Sequence, residues 1–231
     1  MSRTYAIPDL HGRRDLLDRA AEAVARGISG GTATVVLLGD YVNKGPASAQ
    51  VIERLLAGFD PAWRMIYLKG NHDGIMLDAL RDPSKLPQWL ANGGVATLRS
   101  YAPQSDHIPD PAIVPDVHRI WLERLQTIYF DTHRVYVHAG VDPARPLDAQ
   151  DETTLLTKRY AADDASGHGS RHVVHGHHPF RDGPKLLAGR TDLDTLAWQT
   201  GRLVVGVFDD ERPGGPIELI EVNGPPFEES Q

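Results

Sequence analysis

Short runs of branched and aliphatic residues recur along the first third of the chain, and each leads into apolar residues at helical spacing. Residues 4–7 read as a buried strand, and residues 13–25 as a helix with Leu16, Leu17, Ala20 and Val24 on one face. Residues 34–38 form a second β-branched and leucine run that ends at Gly39. The helix predicted over 47–57 carries Val51, Ile52, Leu55 and Leu56, and residues 65–68 predict a third strand. After His72 a third helix is expected to run to Leu80. Strands alternating with helices predict βαβ units and a parallel sheet, where ligands gather beyond the carboxyl ends of the strands. Asp9, Asp40 and Asn71 each follow a predicted strand, so all three are expected at one edge.

The rhythm breaks over residues 82–116, where Pro83, Pro87, Pro103, Pro109, Pro111 and Pro115 punctuate the chain. That stretch predicts a cap-like insertion of short helices within a single domain spanning 1–231. A helix over 116–125 and strands over 127–130 and 135–137 follow. Strands are expected over 172–175, 185–188, 203–208 and 217–222, forming a second, more mixed sheet packed on the first.

Composition narrows the class. Of the 231 residues 41% are hydrophobic and 24% charged, as in an ordinary folded protein, and the length suits one large α/β domain. A net charge of −7 argues against stable nucleic-acid binding but not against a small phosphorylated substrate, because bound cations reverse the local potential. The absence of cysteine removes disulfides, thiolate metal sites and cysteine nucleophiles together. No apolar run is long enough to span a bilayer and the N-terminus lacks an apolar leader core, so a soluble, cytoplasmic protein is expected.

The chemistry lies in four short segments that contain Asp9 and His11, Asp40, Asn71 and His72, and the pair His138 and His177. Carboxylate, imidazole and amide oxygen together suit two divalent first-row metal ions. A lone Gly-Asp after a strand is ordinarily a turn, and a lone histidine ending a strand is ordinarily a packed residue. Five such features in consistent order, each after a predicted strand, point instead to one site. Asp40 is the natural bridge between two ions, with Asp9, His11, Asn71, His138 and His177 as the remaining ligands.

These segments resemble the phosphoprotein phosphatase branch of the calcineurin-like metallophosphoesterases over about residues 4–208. The family's segments read GDxHG, GDxVDRG, GNHE/D, HAG and GH. Residues 89–98 resemble a segment of its small bacterial and phage members. The resemblance implies a four-layer αββα sandwich with two metal ions between the sheets, manganese being expected and iron, zinc or magnesium admitted. It places Asp9, His11 and Asp40 on one ion and Asp40, Asn71, His138 and His177 on the other. His72 matches the general acid, and Lys44 and Arg159 match phosphate-binding basic residues, with Lys158 as the alternative to Arg159. His175 and His178 would be turned from His177 by strand alternation, although His178 could line the pocket. His107, His118, His133, His168 and His172 are expected at the surface. Asp194 resembles a residue of a loop near the site, and Asp73 would either start a helix or support a ligand.

Two departures share one segment. The family's VDRG reads Val42-Asn43-Lys44-Gly45 here. Asn43 is expected to accept a hydrogen bond from His72 without bringing the charge that would hold the imidazole protonated. That matters for a serine or threonine alkoxide, less for a tyrosine phenolate with a pKa of about 10, and hardly for a phosphate leaving group with a second pKa near ~6. The whole-chain resemblance implies hydrolysis of phosphoprotein monoesters by a metal-bridging hydroxide. The chemistry of Asn43, and a likeness of Val-Asn-Lys-Gly-Pro to diadenosine-tetraphosphatase-like proteins, implies nucleotide polyphosphates instead. A metal-stabilised, non-catalytic phosphate-binding protein is the reading from another class. The oligomeric state is not legible.

Overall fold

The computed structural model describes residues 2–28 and 32–227. In β1 (Arg3–Ile7), Tyr5 and Ile7 meet one apolar cluster and Ala6 meets another. A strand buried on both faces reads as a continuous apolar run and needs cover on each side. One cover is the helix layer. β1 passes through α1 (Arg14–Gly27) to β2 (Ala33–Leu37), then through α2 (Ser48–Ala57) to β3 (Trp63–Tyr67) and α3 (Asn71–Arg81). The three strands pair in parallel, β1 on β2 and β2 on β3. Leu16, Leu17 and Val24 of α1 and Val51, Ile52 and Leu55 of α2 pack with Tyr5, Ile7, Val35 and Leu37. Each such fully buried aliphatic side chain contributes roughly 1.5–3 kcal/mol.

Beyond Asp82 the chain forms short helices, α4 (Leu86–Trp89), a kinked turn at Leu90–Gly94, α5 (Val95–Tyr101) and then α6 (Asp116–Glu123). In the stretch expected to be cap-like, α4 packs on α3 and α5 on α2. Trp89, Leu98 and Val114 bury in the same core as the first sheet's helices.

The remaining elements are β4 (Ile128–Phe130), β5 (Arg134–Val137), α7 (Glu152–Thr157), β6 (His172–His175), β7 (Lys185–Leu186), β8 (Arg190–Asp192), α8 (Ala197–Thr200), β9 (Arg202–Asp209) and β10 (Glu218–Asn223). Two five-stranded mixed sheets result, ordered β10-β9-β1-β2-β3 and β4-β5-β6-β8-β7. Between them lie Ala6, Val36, Leu38, Ile66 and Leu68 from one side and Tyr136, Val174 and Leu193 from the other, with Phe208 of β9. Val135, Val137 and Val173 turn outward onto Leu155 of α7, Val141 and Leu147. The order is helix, sheet, sheet, helix, and the fourth layer is thin.

The last third departs from the sequence expectation. β9 and β10 do not join the second sheet. β9 pairs antiparallel with β1, and β10 with β9. The apolar run over 203–208 predicted the strand β9 but not its partner, and Leu203, Val205 and Val207 bury with the helices of the first sheet. The second sheet takes β8 instead, whose Arg-Thr-Asp sequence gives no apolar signal. Its polar residues are buried because they pair inward: Arg190 Nη1 reaches His175 Nε2 at 3.1 Å, and Thr191 Oγ1 lies 2.8 Å from His172 Nε2. His172 is therefore buried, as is His118, whose Nδ1 lies 2.8 Å from Tyr101 Oη, so neither is a surface histidine. Among the described residues no helix is long and apolar enough to cross a membrane.

Candidate functional site

The parallel strands of both sheets deliver polar residues to one cleft. Asp9 follows β1, Asp40 follows β2, Asn71 follows β3, His138 follows β5 and His177 follows β6. The turns that aim them depart from ordinary backbone. His11, Asp40, Asn43, Lys44 and His177 all have positive φ, between 43° and 73°. Each such non-glycine residue is conformationally costly, and such residues gather where a site over-determines its own backbone. Two glycines make room for carboxylates: a Cβ at Gly70 would lie 2.0 Å from Asp40 Oδ1, and one at Gly176 would lie 2.1 Å from Asp9 Oδ1.

Every expected metal ligand reaches this cleft. Asp40 Oδ2 lies 3.4 Å from His11 Nε2 and 3.5 Å from His138 Nε2. His138 Nε2 lies 2.9 Å from Asn71 Oδ1, and the rings of His138 and His177 are 5.0 Å apart. Asp9 Oδ1 accepts from the His177 backbone N–H at 3.2 Å. Ligand atoms of Asp9, Asp40 and His138 lie within 4.8 Å of one another, and carboxylate and ring-nitrogen atoms of Asp40, His11 and His72 lie equally close. Asp40 belongs to both groups. Asp9, His11, Asp40 and His138 are buried, while Asn71 and His177 are half-buried.

The protonation chemistry suits divalent cations. Burial pushes Asp9 up to about 6 and Asp40 up to about 7, because the cost of desolvating each carboxylate outweighs the nearby N–H groups and the Lys44 charge. Burial likewise pushes His11 and His138 down, leaving the neutral imidazoles that ligate metals. His11 Nδ1 donates to Val42 O at 2.8 Å and His138 Nδ1 to Leu38 O at 3.0 Å, which leaves both Nε2 lone pairs in the cleft. The lone pairs of His138 Nε2 and Asn71 Oδ1 thus face each other with no proton between them. Beside His11 a cation already stands in, since Lys44 Nζ sits 3.2 Å from Nε2. The donor set therefore fits hard or borderline divalent ions.

His72 is held differently. Trp89 Nε1 can only donate, and it lies 2.9 Å from Asn43 Oδ1, as Thr97 Oγ1 does at 3.0 Å. The amide oxygen is thereby taken, so Asn43 Nδ2 is the atom that meets His72 Nδ1, at 2.9 Å. Asn43 donates to His72. This reverses the sequence expectation that Asn43 accepts. The proton of a neutral His72 then resides on Nε2, which faces the cleft as a donor and has no lone pair for a metal. Burial first, and then the Lys44 charge, push this imidazole down to about 3, against an upward pull from the Asn92 carbonyl.

Of the basic residues, Lys44 is half-buried and also lies over the Trp198 ring, with Nζ 5.8 Å from its centroid. Arg159 is exposed just past the end of α7, and its charge helps depress His177. Lys158 turns instead to the Tyr160 ring, 5.1 Å from Nζ to its centroid. Strand alternation does not reach His177, since β6 ends at His175 and His177 has a positive φ. His178 stays beside His177, ring to ring at 5.5 Å, and its Nε2 donates to Lys158 O.

Asp73 resolves its two readings by serving both. Its carboxylate accepts from Gly70 N–H at the start of α3, and from Asp40 and Tyr41 N–H at 2.9 and 3.0 Å. It thus caps the helix and fixes the turn that carries Asp40. Trp89 and Thr97 had no assigned role in the sequence, because their contacts with Asn43 span 46 and 54 residues. Asp194 is buried and its carboxyl is pushed well up, by burial and then by the Asp9 charge, which places it beside the site.

A family model described as calcineurin-like phosphoesterase matches residues 2–207. A symmetrical bis(5'-nucleosyl)-tetraphosphatase of Paracidovorax citrulli is 34% identical over 145 residues, covering 63% of this chain and 46% of the relative. The chain spans about half the length of the curated relatives it matches. A solved structure provisionally assigned as a diadenosine tetraphosphatase superposes with a TM-score of 0.66 at 26% identity, covering 96% of this chain and 93% of the other. A serine/threonine protein phosphatase from Saccharomyces cerevisiae superposes at 0.59 with 14% identity, covering 98% and 81%, a likeness of fold alone.

Proposed function

For a chain that belongs to the calcineurin-like phosphoesterase family, we propose metal-dependent hydrolysis of phosphoanhydrides, with nucleotide polyphosphates of the dinucleoside type as substrates. The observation that carries this reading is the direction of the Asn43–His72 hydrogen bond. A histidine that receives a proton from Asn43 and holds its own on Nε2 is a neutral hydrogen-bond donor. Giving that proton up fully would create an imidazolate, so His72 can polarise a leaving oxygen but not protonate a strongly basic one. A departing phosphate needs no more than that, because its second pKa lies near ~6. The tetraphosphatase names of the relatives support the same substrate class. The protein phosphatases that the chain resembles in fold are 16% and 14% identical, likenesses that speak to fold and not to substrate.

In this reading Asp9, His11, Asp40, Asn71, His138 and His177 hold two divalent ions. Those ions, when bound, supply Lewis acidity to water and to the phosphoryl oxygens. Lys44, beside His11, and Arg159, whose charge acts on His177, orient and neutralise the phosphates, Lys44 as a point charge and Arg159 as a fork. His72 donates from Nε2 to the leaving oxygen, and Asn43, Trp89 and Thr97 keep that donor aimed. Asp73 holds the Asp40 turn in place. A silent phosphate-binding protein is disfavoured, since every expected ligand lies in the cleft and Lys44 reaches His11 there.

The test is kcat/KM of the manganese-loaded protein on diadenosine tetraphosphate, a phosphotyrosine peptide and a phosphoserine peptide. Preference for the anhydride by tenfold or more, about 1.4 kcal/mol of transition-state free energy, supports the reading. Phosphoserine hydrolysed as well as the anhydride would overturn it.

A further inference from the structure

A groove of about 700 Å³ opens from the metal-ligand cluster between α3 and α7, and Asn71 lines both. Its volume lies within the ~300–1,000 Å³ usual for small-molecule sites. The groove walls combine Ile75, Leu77 and Leu156 with the uncharged polar groups of Gln88, Thr153 and Thr157, and Lys69, Asp78, Arg81 and Glu152 also line it.

The charges around the groove are already spoken for. Lys69 pairs with Glu152 at 2.9 Å, Arg81 with Glu123 at 2.7 Å and Asp78 with Lys85 at 2.8 Å. A groove with compensated charges, apolar walls and neutral hydrogen-bonding groups suits an uncharged, partly aromatic moiety better than further phosphates or an acidic peptide.

Gly74 supplies an independent sign. It lies in the first turns of α3, where glycine weakens a helix relative to alanine. Nothing in the fold asks for it: its φ is not positive, and an added Cβ would meet only Leu156 Cδ1, at an ordinary 3.9 Å. The effect of the missing side chain is to leave the groove open beside Asn71.

We propose that this groove is a nucleoside subsite, which holds the base and ribose of one half of a dinucleoside polyphosphate whose phosphates lie over the metal-ligand cluster. The inference rests on the anhydride reading above and names what recognises the rest of that substrate. Ile75 and Leu156 would cover the base, while Gln88, Thr153 and Thr157 would meet its edge and the sugar hydroxyls.

The experiment compares kcat/KM for diadenosine tetraphosphate with that for inorganic tripolyphosphate, which has no nucleoside. The full manganese-loaded chain is used, as wild type, Gly74→Leu and Thr153→Trp, which fill the groove from opposite walls. The expected result is a tenfold or greater fall in the ratio of the two values for both variants, expressed in KM for the dinucleotide. Saturation-transfer NMR with adenosine reads the groove without turnover, and binding should be lost in both variants. Should Gly74→Leu fail to fold, Thr153→Trp and the milder Gly74→Ala carry the comparison. An unchanged ratio with unchanged adenosine binding in folded variants overturns the subsite. Adenosine bound by wild type and lost in the variants, without hydrolysis of diadenosine tetraphosphate, supports the subsite and overturns the anhydride substrate alone. Loss confined to phosphotyrosine-peptide turnover would make the occupant a peptide and overturn the proposal.

Discussion

Asn43 Nδ2 faces His72 Nδ1 at 2.9 Å, and the indole N–H of Trp89 decides which end of the amide does so. One donor-only group, 46 residues along the chain, thereby sets the tautomer of the histidine that meets the leaving oxygen.

Exchanging the donor should therefore exchange the chemistry. Asn43→Asp turns the atom facing Nδ1 into an acceptor with charge, which favours a protonated His72. Hydrolysis of a phosphoserine peptide is expected to rise by about tenfold or more, with diadenosine tetraphosphate changing much less. Equal changes on the two substrates would remove the leaving-group argument.

Trp89→Phe keeps the ring and deletes the donor. The Asn43 amide is then free to turn over, and His72 is expected to populate both tautomers. Nitrogen-15 shifts of the His72 ring read this directly. A buried acceptor left with one partner fewer should also lower stability by roughly 1–2 kcal/mol in urea melts. A single unshifted Nε2–H tautomer in the variant would show that Trp89 does not set it.

Metal binding should depend on pH through Asp9 and Asp40. Their folded values, about 6 and about 7, lie above the ordinary 3.8, so their contribution to the metal-free fold is present at low pH and lost as pH rises through that range. Ligation requires both in the charged form, whereas His11 and His138 are pushed down and need shed no proton over the same range. The rise in Tm on adding manganese is expected to be small near pH ~5.5 and larger near pH ~8, and to be absent in Asp40→Asn. An equal rise at both pH values would argue that other residues hold the ion.

Asp73→Ala tests the support of the Asp40 turn. Three backbone N–H groups lose their acceptor, each costing roughly 1–3 kcal/mol when left buried. Urea unfolding should show a loss of several kcal/mol, and manganese affinity should fall in whatever fraction remains folded. A mild change with full affinity would show that the turn holds itself.

The sequence alone determined the βαβ first half, because apolar runs and helical spacing are local signals and β1 and β2 are buried along nearly their whole length. It also determined which residues would meet in the cleft. Asp9, Asp40 and Asn71 each follow a strand of the first sheet, and parallel strands deliver their ends to one edge, while the family resemblance singled out His138 and His177, which follow strands of the second.

Tertiary structure decided what depends on partners distant in the chain. An apolar run marked β9 as a strand, yet β1 became its neighbour only because the first sheet had a free edge beside β1. Polar β8 entered the second sheet because His175 and His172 awaited Arg190 and Thr191. The direction of the Asn43 hydrogen bond was invisible for the same reason. An amide can donate or accept, and composition cannot say which end faces which neighbour. A tryptophan brought alongside by folding, with one proton to give and nothing to accept, made the choice.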